Sequence, residues 1–244
     1  MNGRLPVIRG VITRRLLVNY RVDPAALRGQ LPPPFRPQLV GGYAVGGICL
    51  IRLDAVRPRG LPGWLGLGSE NAAHRIAVEW DEAGKIRTGV FIPRRDTDSA
   101  LNQALGGRLF PGCHHRADFA VNDDGEALRL AVIGRDGDLN IQVTGRAADA
   151  VAPGSVFPTL AAASDFFRQG ALGWSPTKTG GCEGLELRCA AWAMQPFAVT
   201  AVGSSYFDDP HRFPPGAATF DSAFMMRNII HEWRACGWRR EGEA

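Results

Sequence analysis

The 244-residue chain is 45% hydrophobic and carries 28 basic against 24 acidic residues, a composition able to bury roughly 70–75% of the unfolded surface. A formal charge of +4 is too small for a nucleic-acid footprint, and no basic run is interleaved with aromatics. No stretch reaches the roughly 18 apolar residues of a membrane span, and the first residues lack the apolar run of a signal peptide.

In chain order, Arg14 to Val22 reads as a strand. Asp23 and Pro24 then supply a cap and a first-turn proline for a short helix, which Pro32-Pro33-Pro34 stops. Tyr43 to Val56 is a long apolar stretch with glycines near its start, read as a bent strand. His74 to Trp80 and Ile86 to Ile92 flank Asp-Glu-Ala-Gly-Lys and read as a hairpin. Asp98 to Leu105 reads as a short helix closed by Gly106-Gly107. Three strands follow, Arg116 to Val121, Ala127 to Ile133 and Leu139 to Thr144, separated by Asp/Gly turns. Thr159 caps a helix running to Gln169, with Gly170 as its stop and Phe166 and Phe167 as a core-facing stripe. The last third reads as strands again: Leu185 to Met194, Phe197 to Tyr206 and Thr219 to Arg227.

About nine strands and two or three short helices, with no linker, predict one domain over residues 1–244. The expected class is mainly β (α+β), an antiparallel sheet that curls or closes into a barrel. The five cysteines include no CxxC pair, so no zinc knuckle or redox dithiol is expected. The expectation is a cytoplasmic protein with reduced thiols and no cofactor. Its expected partner is a small molecule, not nucleic acid or membrane, and homo-oligomers are possible.

The stretch Phe110-Pro-Gly-Cys-His-His-Arg116 holds two of the five histidines side by side. Imidazole trades protons near neutral pH. Neighbouring residues on a strand face opposite ways, so at most one of His114 and His115 can face a given cavity. For the same reason they make a poor metal pair, and no metal site is expected. A packed histidine beside a surface one is the bland alternative. His231-Glu232 lacks the second histidine of a zincin helix. Lys85 and Lys178 are the only lysines, so any amine chemistry must use one of them.

Several segments together resemble the acetoacetate-decarboxylase-like superfamily, and within it the uncharacterised bacterial YqjF-like branch. They are Leu16-Leu-Val-Asn-Tyr-Arg-Val-Asp-Pro-Ala-Ala-Leu-Arg-Gly-Gln-Leu-Pro, Ser69-Glu-Asn, Ile92-Pro-Arg-Arg-Asp-Thr-Asp-Ser-Ala-Leu, Gly107-Arg-Leu-Phe-Pro-Gly and Trp192-Ala-Met-Gln-Pro-Phe. The resemblance implies that superfamily's barrel. The decarboxylases form a Schiff base between a lysine and a β-keto acid. At the matching positions this chain has Gly112 and Cys113, or His114 and His115 after a two-residue shift, and no amine. The resemblance also implies a site glutamate at Glu70, and an arginine at the start of the entry strand for a substrate carboxylate; Thr13 aligns there, with Arg14 and Arg15 next to it, one expected to face the cavity and the other solvent. Arg94, in Arg-Arg-Asp, is a further candidate clamp, against the alternative of a solvated turn with local ion pairs.

Two function classes follow. One is an enzyme for a small carbonyl or carboxylate compound, with His114 or His115 and Glu70 as acid–base groups and Arg14, Arg15 or Arg94 as carboxylate anchors. It would catalyse enolisation, hydration or decarboxylation without a Schiff base. The other is a non-catalytic small-ligand-binding protein on the same scaffold. A barrel packed with its own side chains would leave only a structural role. Glu70, one histidine and Arg14 or Arg15 are expected to share one cavity.

Overall fold

The computed structural model describes residues 6–105, 112–177 and 180–239. Thirteen strands form one connected sheet. They are β1 (Ile8–Val22), β2 (Arg36–Pro37), β3 (Leu39–Val40), β4 (Tyr43–Pro58), β5 (Leu67–Glu82), β6 (Lys85–Thr97), β7 (His114–Asp123), β8 (Ala127–Gly134), β9 (Asn140–Ala147), β10 (Leu172–Pro176), β11 (Cys182–Cys189), β12 (Gln195–Ser204) and β13 (Ala218–Arg239). Two α-helices, α1 (Ala100–Leu105) and α2 (Leu160–Gln169), and two short 3-10 turns complete the described elements.

The sheet curls into a ring. Its order runs β11-β10-β6-β7-β8-β9-β12-β13-β1-β4-β5-β2, and β5–β6 and β11–β13 pair in addition. A circuit of seven strands, β13-β1-β4-β5-β6-β10-β11, therefore returns on itself. It is not a uniform antiparallel barrel, because β6 runs parallel to β10 and to β7. Sequence patterning did not reveal those two junctions: they join segments separated by helices and loops, and period-2 alternation carries no information on strand direction. The segments β2, β3 and β10 were also absent from the sequence reading, being too short to show a period.

β1 is covered on both faces, which explains its nearly unbroken apolar run. Leu16, Val18 and Tyr20 point outward into a large cluster with Leu128, Leu130, Ile141 and Val143 of the flanking β7–β8–β9–β12 layer. Leu17 points inward and packs with Val45, Cys49 and Phe224 against Ala163 and Phe167 of α2. Thus α2 sits against the inner face of the ring. Its limits are set by local chemistry. Thr159 Oγ1 accepts the Ala162 N–H at 3.1 Å, and Gly170 ends the helix. The turn after Asp23 is a single 3-10 turn over Pro24–Leu27. The helix expected from Asp98 begins two residues later, at Ala100.

Candidate functional site

The alternation of side chains along each strand sorts the arginines. In the row Arg14–Arg52–Glu70 across β1, β4 and β5, side chains face away from the ring interior. In the next row, Arg15–Ile51–Asn71, they face into it. The interior is an apolar cavity of about 270 Å³. Its wall takes Cys49, Ile51 and Leu53 from β4, Ile92 from β6, and Leu185 and Leu187 from β11.

Among the described residues four arginines line this cavity: Arg57, which donates to backbone carbonyl oxygens, and Arg15, Arg75 and Arg95. The last three lack such backbone acceptors. Among the described residues none of them forms an ion pair. Arg15 lies 5.7 Å from the centre of the Trp192 ring, and its Nε and Nη1 are buried without an acceptor. Arg75 crosses the gap left by Gly47, where a Cβ would come within 3.4 Å of its Nη2, and donates to Asn19 Oδ1 of β1. Its Nε has no acceptor, and its charge stacks 4.7 Å from the Phe167 ring centre of α2. Arg95 donates from Nε to the neutral Ser175 Oγ at 3.0 Å. Burial draws both Arg75 and Arg95 down to about 10, because a desolvated charge is costly.

His114 lines the same cavity, as the direct parallel partner of Arg95. Its Nδ1 is 3.3 Å from the Gly112 carbonyl oxygen. Burial first, and then the adjacent Arg95 charge, push its imidazole down to about 4, so it is neutral at pH 7. His115 points the other way. Its Nδ1 is 3.1 Å from Asp136 Oδ2, and its side chain is 42% exposed. Of the two histidines, only His114 lies on the cavity wall.

The expected gathering of Glu70, a histidine and an arginine in one cavity does not occur. Arg15 and His114 share the lumen, whereas Glu70 and Arg14 lie on the opposite face of the sheet. Arg14 Nη2 donates to Glu70 Oε2 at 2.5 Å, and Arg14 Nη1 is 3.5 Å from Asp123 Oδ2. Arg14 does not face solvent; its side chain is 5% exposed. Burial lifts the Glu70 carboxyl above its ordinary value, against the pull of Arg14 and Arg52. Burial also works against Asp123, but there the fork of two hydrogen bonds from Arg227, at 2.9 and 2.7 Å, prevails and holds the carboxyl low. Strand parity is the physical reason for the split: residues adjacent in sequence, such as Arg14 and Arg15, must point to opposite faces.

Arg94 is likewise turned away from the lumen. It donates to Asp96 at 2.8–3.1 Å and to Asp136 at 2.8–2.9 Å, so its fork is already filled. Arg95, its neighbour, holds the cavity position. Sequence reading did not single out Arg75 or Cys49, and from the candidate clamp Arg94-Arg95-Asp96 it chose Arg94. The signal lay in counting by twos from a residue known to face inward, which requires the register of the neighbouring strand.

Gly112 is one of the positions at which the resemblance led to the expectation of a lysine. Its φ is +79°, and a Cβ there would lie 2.6 Å from Ser175 Cβ. A side chain at this point would force Ser175 or the turn to shift. Of the two lysines, Lys85 is exposed at the β5–β6 turn, and Lys178 lies outside the described residues, as do Phe110 and Pro111. Among the described residues no lysine lines the cavity and no three metal-ligating side chains converge. His74 and His231 are buried elsewhere, His74 tilted against the Tyr206 ring at 4.4 Å and His231 edge-on to Trp233 at 4.5 Å. Among the described residues no helix is long and apolar enough to cross a membrane.

The fold has clear relatives. Acetoacetate decarboxylase from Legionella pneumophila subsp. pneumophila str. Philadelphia 1 is similar with a TM-score of 0.63 at 12% identity, over 97% of this chain and 88% of that one. An acetoacetate decarboxylase-like enzyme from Sphingomonas wittichii RW1 is similar with a TM-score of 0.60 at 14% identity, over 98% and 93%. The enduracididine biosynthesis enzyme MppR, complexed with pyruvate, has a TM-score of 0.54 at 14% identity, over 98% and 91%. None of the curated proteins matches in sequence. The model of the DUF2071 family, an uncharacterized conserved protein, matches residues 11–206, so this chain belongs to DUF2071 and has the acetoacetate-decarboxylase-like fold.

Proposed function

We propose that this protein binds a small carboxylate compound in the ring lumen, without forming a Schiff base. One observation carries the reading: Arg15, Arg75 and Arg95 enter an apolar cavity and have no carboxylate partner among the described residues. Buried charges are normally paired, because an uncompensated one costs several kcal/mol. A bound anion would supply the missing counter-charge. The guanidinium fork suits a carboxylate, and the low-polarity walls would strengthen the attraction. The pyruvate held by MppR makes 2-oxo acids a rational first probe.

The catalytic form of this reading rests on His114 standing beside Arg95. A neutral imidazole next to a carboxylate anchor could take a proton from carbon beside a carbonyl, while the guanidinium holds the acid in place. Enolisation is then the simplest reaction class. Glu70 takes no part in it, since its carboxylate is spent on Arg14 across the sheet.

Calorimetric titration with pyruvate and short alkanoates tests the binding claim. Wild type should bind, and Arg95→Gln should weaken binding by about tenfold or more, the size of one charge-assisted hydrogen bond. Absence of heat or of any thermal shift with every carboxylate would remove the reading. Loss of the pyruvate methyl proton signal in heavy water, followed by NMR, tests enolisation. An equal exchange rate in His114→Gln would leave a binding protein and no His114 catalysis.

A further inference from the structure

The three cavity arginines are arranged as two groups, and the separation can be read from the strand register. Arg75 lies on β5, but its guanidinium crosses over Gly47 of β4 to Asn19 of β1. That places its charge on the β1 side of the lumen, against Phe167 of α2, and Arg15 lies over Trp192, whose Nε1 donates to Ser164 Oγ of the same helix. Arg95 lies on the other side, with His114 as its direct neighbour on β7. The row between the two groups is Leu17–Cys49–Ala73–Arg95–His114, running across β1, β4, β5, β6 and β7. Three strand spacings separate β1 from β6, on the order of 14 Å along the wall. The intervening wall is made of the small Ala73 and Cys49.

Among the described residues no acidic side chain offsets these charges. Asp96 is the one acidic residue described on the wall; it is fully buried and is held by the Arg94 fork. Arg57 also touches the cavity, but its guanidinium is satisfied by the carbonyl oxygens of Ala55 and Leu61. A single carboxylate could compensate one group of guanidiniums and would leave the other desolvated and bare. A cavity of about 270 Å³ also limits the ligand to a small molecule.

Building on the carboxylate-binding reading, we infer that the ligand is a small dicarboxylate, with one carboxylate held by Arg15 and Arg75 and the second by Arg95 beside His114. Its carbon chain lies over Cys49 and Ala73. The site therefore discriminates by charge number and by the spacing of the two acid groups, since a chain too short to span the wall reaches only one group.

The test is calorimetry on the full chain at constant ionic strength with matched acids: succinate, glutarate and adipate against butyrate, pentanoate and hexanoate. The expected result is that at least one dicarboxylate binds about tenfold or more tightly than its monocarboxylate match. Arg15→Gln and Arg95→Gln should each reduce that dicarboxylate to the level of the monocarboxylate, while Arg15→Lys keeps part of the preference. Equal affinity within every pair would overturn the two-group site and leave simple carboxylate binding standing. Inorganic phosphate binding more tightly than any dicarboxylate would also overturn it, since that would mean one convergent anion site. No binding of either series would sink both readings. If a glutamine variant fails to fold, judged by its circular dichroism, the wild-type comparison within each pair still decides.

Discussion

Arg95 and His114 are direct partners across the parallel junction of β6 and β7, and both side chains face the lumen. The guanidinium holds the imidazole neutral, with burial as the larger influence. A bound carboxylate would oppose both effects and raise the imidazole pKa from about 4. The complex then holds more protons than the free protein, so carboxylate affinity should rise as the pH falls from 7 toward 5. Titrations at several pH values check this, and His114→Gln should remove the trend while the acid remains ionised.

Borohydride trapping with acetoacetate, read by intact mass, should give no covalent adduct. Lys85 is exposed at the β5–β6 turn and does not line the cavity. An adduct that disappears in Lys178→Ala would show that this lysine does reach a reactive position.

The buried ion pair between Arg14 and Glu70 makes a stability prediction. Arg14→Met leaves Glu70 and part of the Asp123 charge uncompensated, and should cost about 3 kcal/mol in urea unfolding. Glu70→Gln should cost less, because Arg14 keeps Asp123 at 3.5 Å. The double variant Arg14→Met with Glu70→Met should recover much of the loss.

Two buried histidines and the half-buried His114 have depressed pKa values: His74 near 3, and His114 and His231 near 4, against 6.5 for the free side chain. Burial is the main cause in each. The unfolded chain therefore binds more protons than the folded one between pH 6.5 and 4, so stability falls as the pH is lowered through that window. Glu70 and Asp96 act in the opposite sense, because their folded pKa values are raised and their contribution is lost as the pH rises. The histidines outnumber them, and unfolding midpoints measured from pH 7 to 4.5 should drop. His74→Leu should flatten the slope, since that ring makes no hydrogen bond in the described structure.

Gly112→Ala should be destabilising by about 2 kcal/mol, from the positive φ and from the clash with Ser175. The same clash would disturb the hydroxyl that accepts from Arg95, so carboxylate affinity should fall as well. Thermal melting and calorimetry on the same sample would report both effects. Unchanged melting would show that the turn at Gly112 relaxes freely.

The sequence alone determined most of the long strands of this protein and its two helices, because these depend on short-range patterns. Val18 to Val22 alternates between two buried faces, Thr159 caps α2, and Asp-Glu-Ala-Gly-Lys turns β5 into β6. It also limited the inward-facing members of two pairs, Arg14 or Arg15 and His114 or His115, to one each, since neighbours on a strand diverge. Which member turns inward was decided by tertiary structure. That choice depends on the register of β1 against β4 and of β6 against β7, and a shift of one residue would exchange every side chain between the faces. The same long-range pairing took Glu70 out of the site and brought in Arg75 and Arg95. Their charges meet in one cavity only because strands distant in the chain close into a ring.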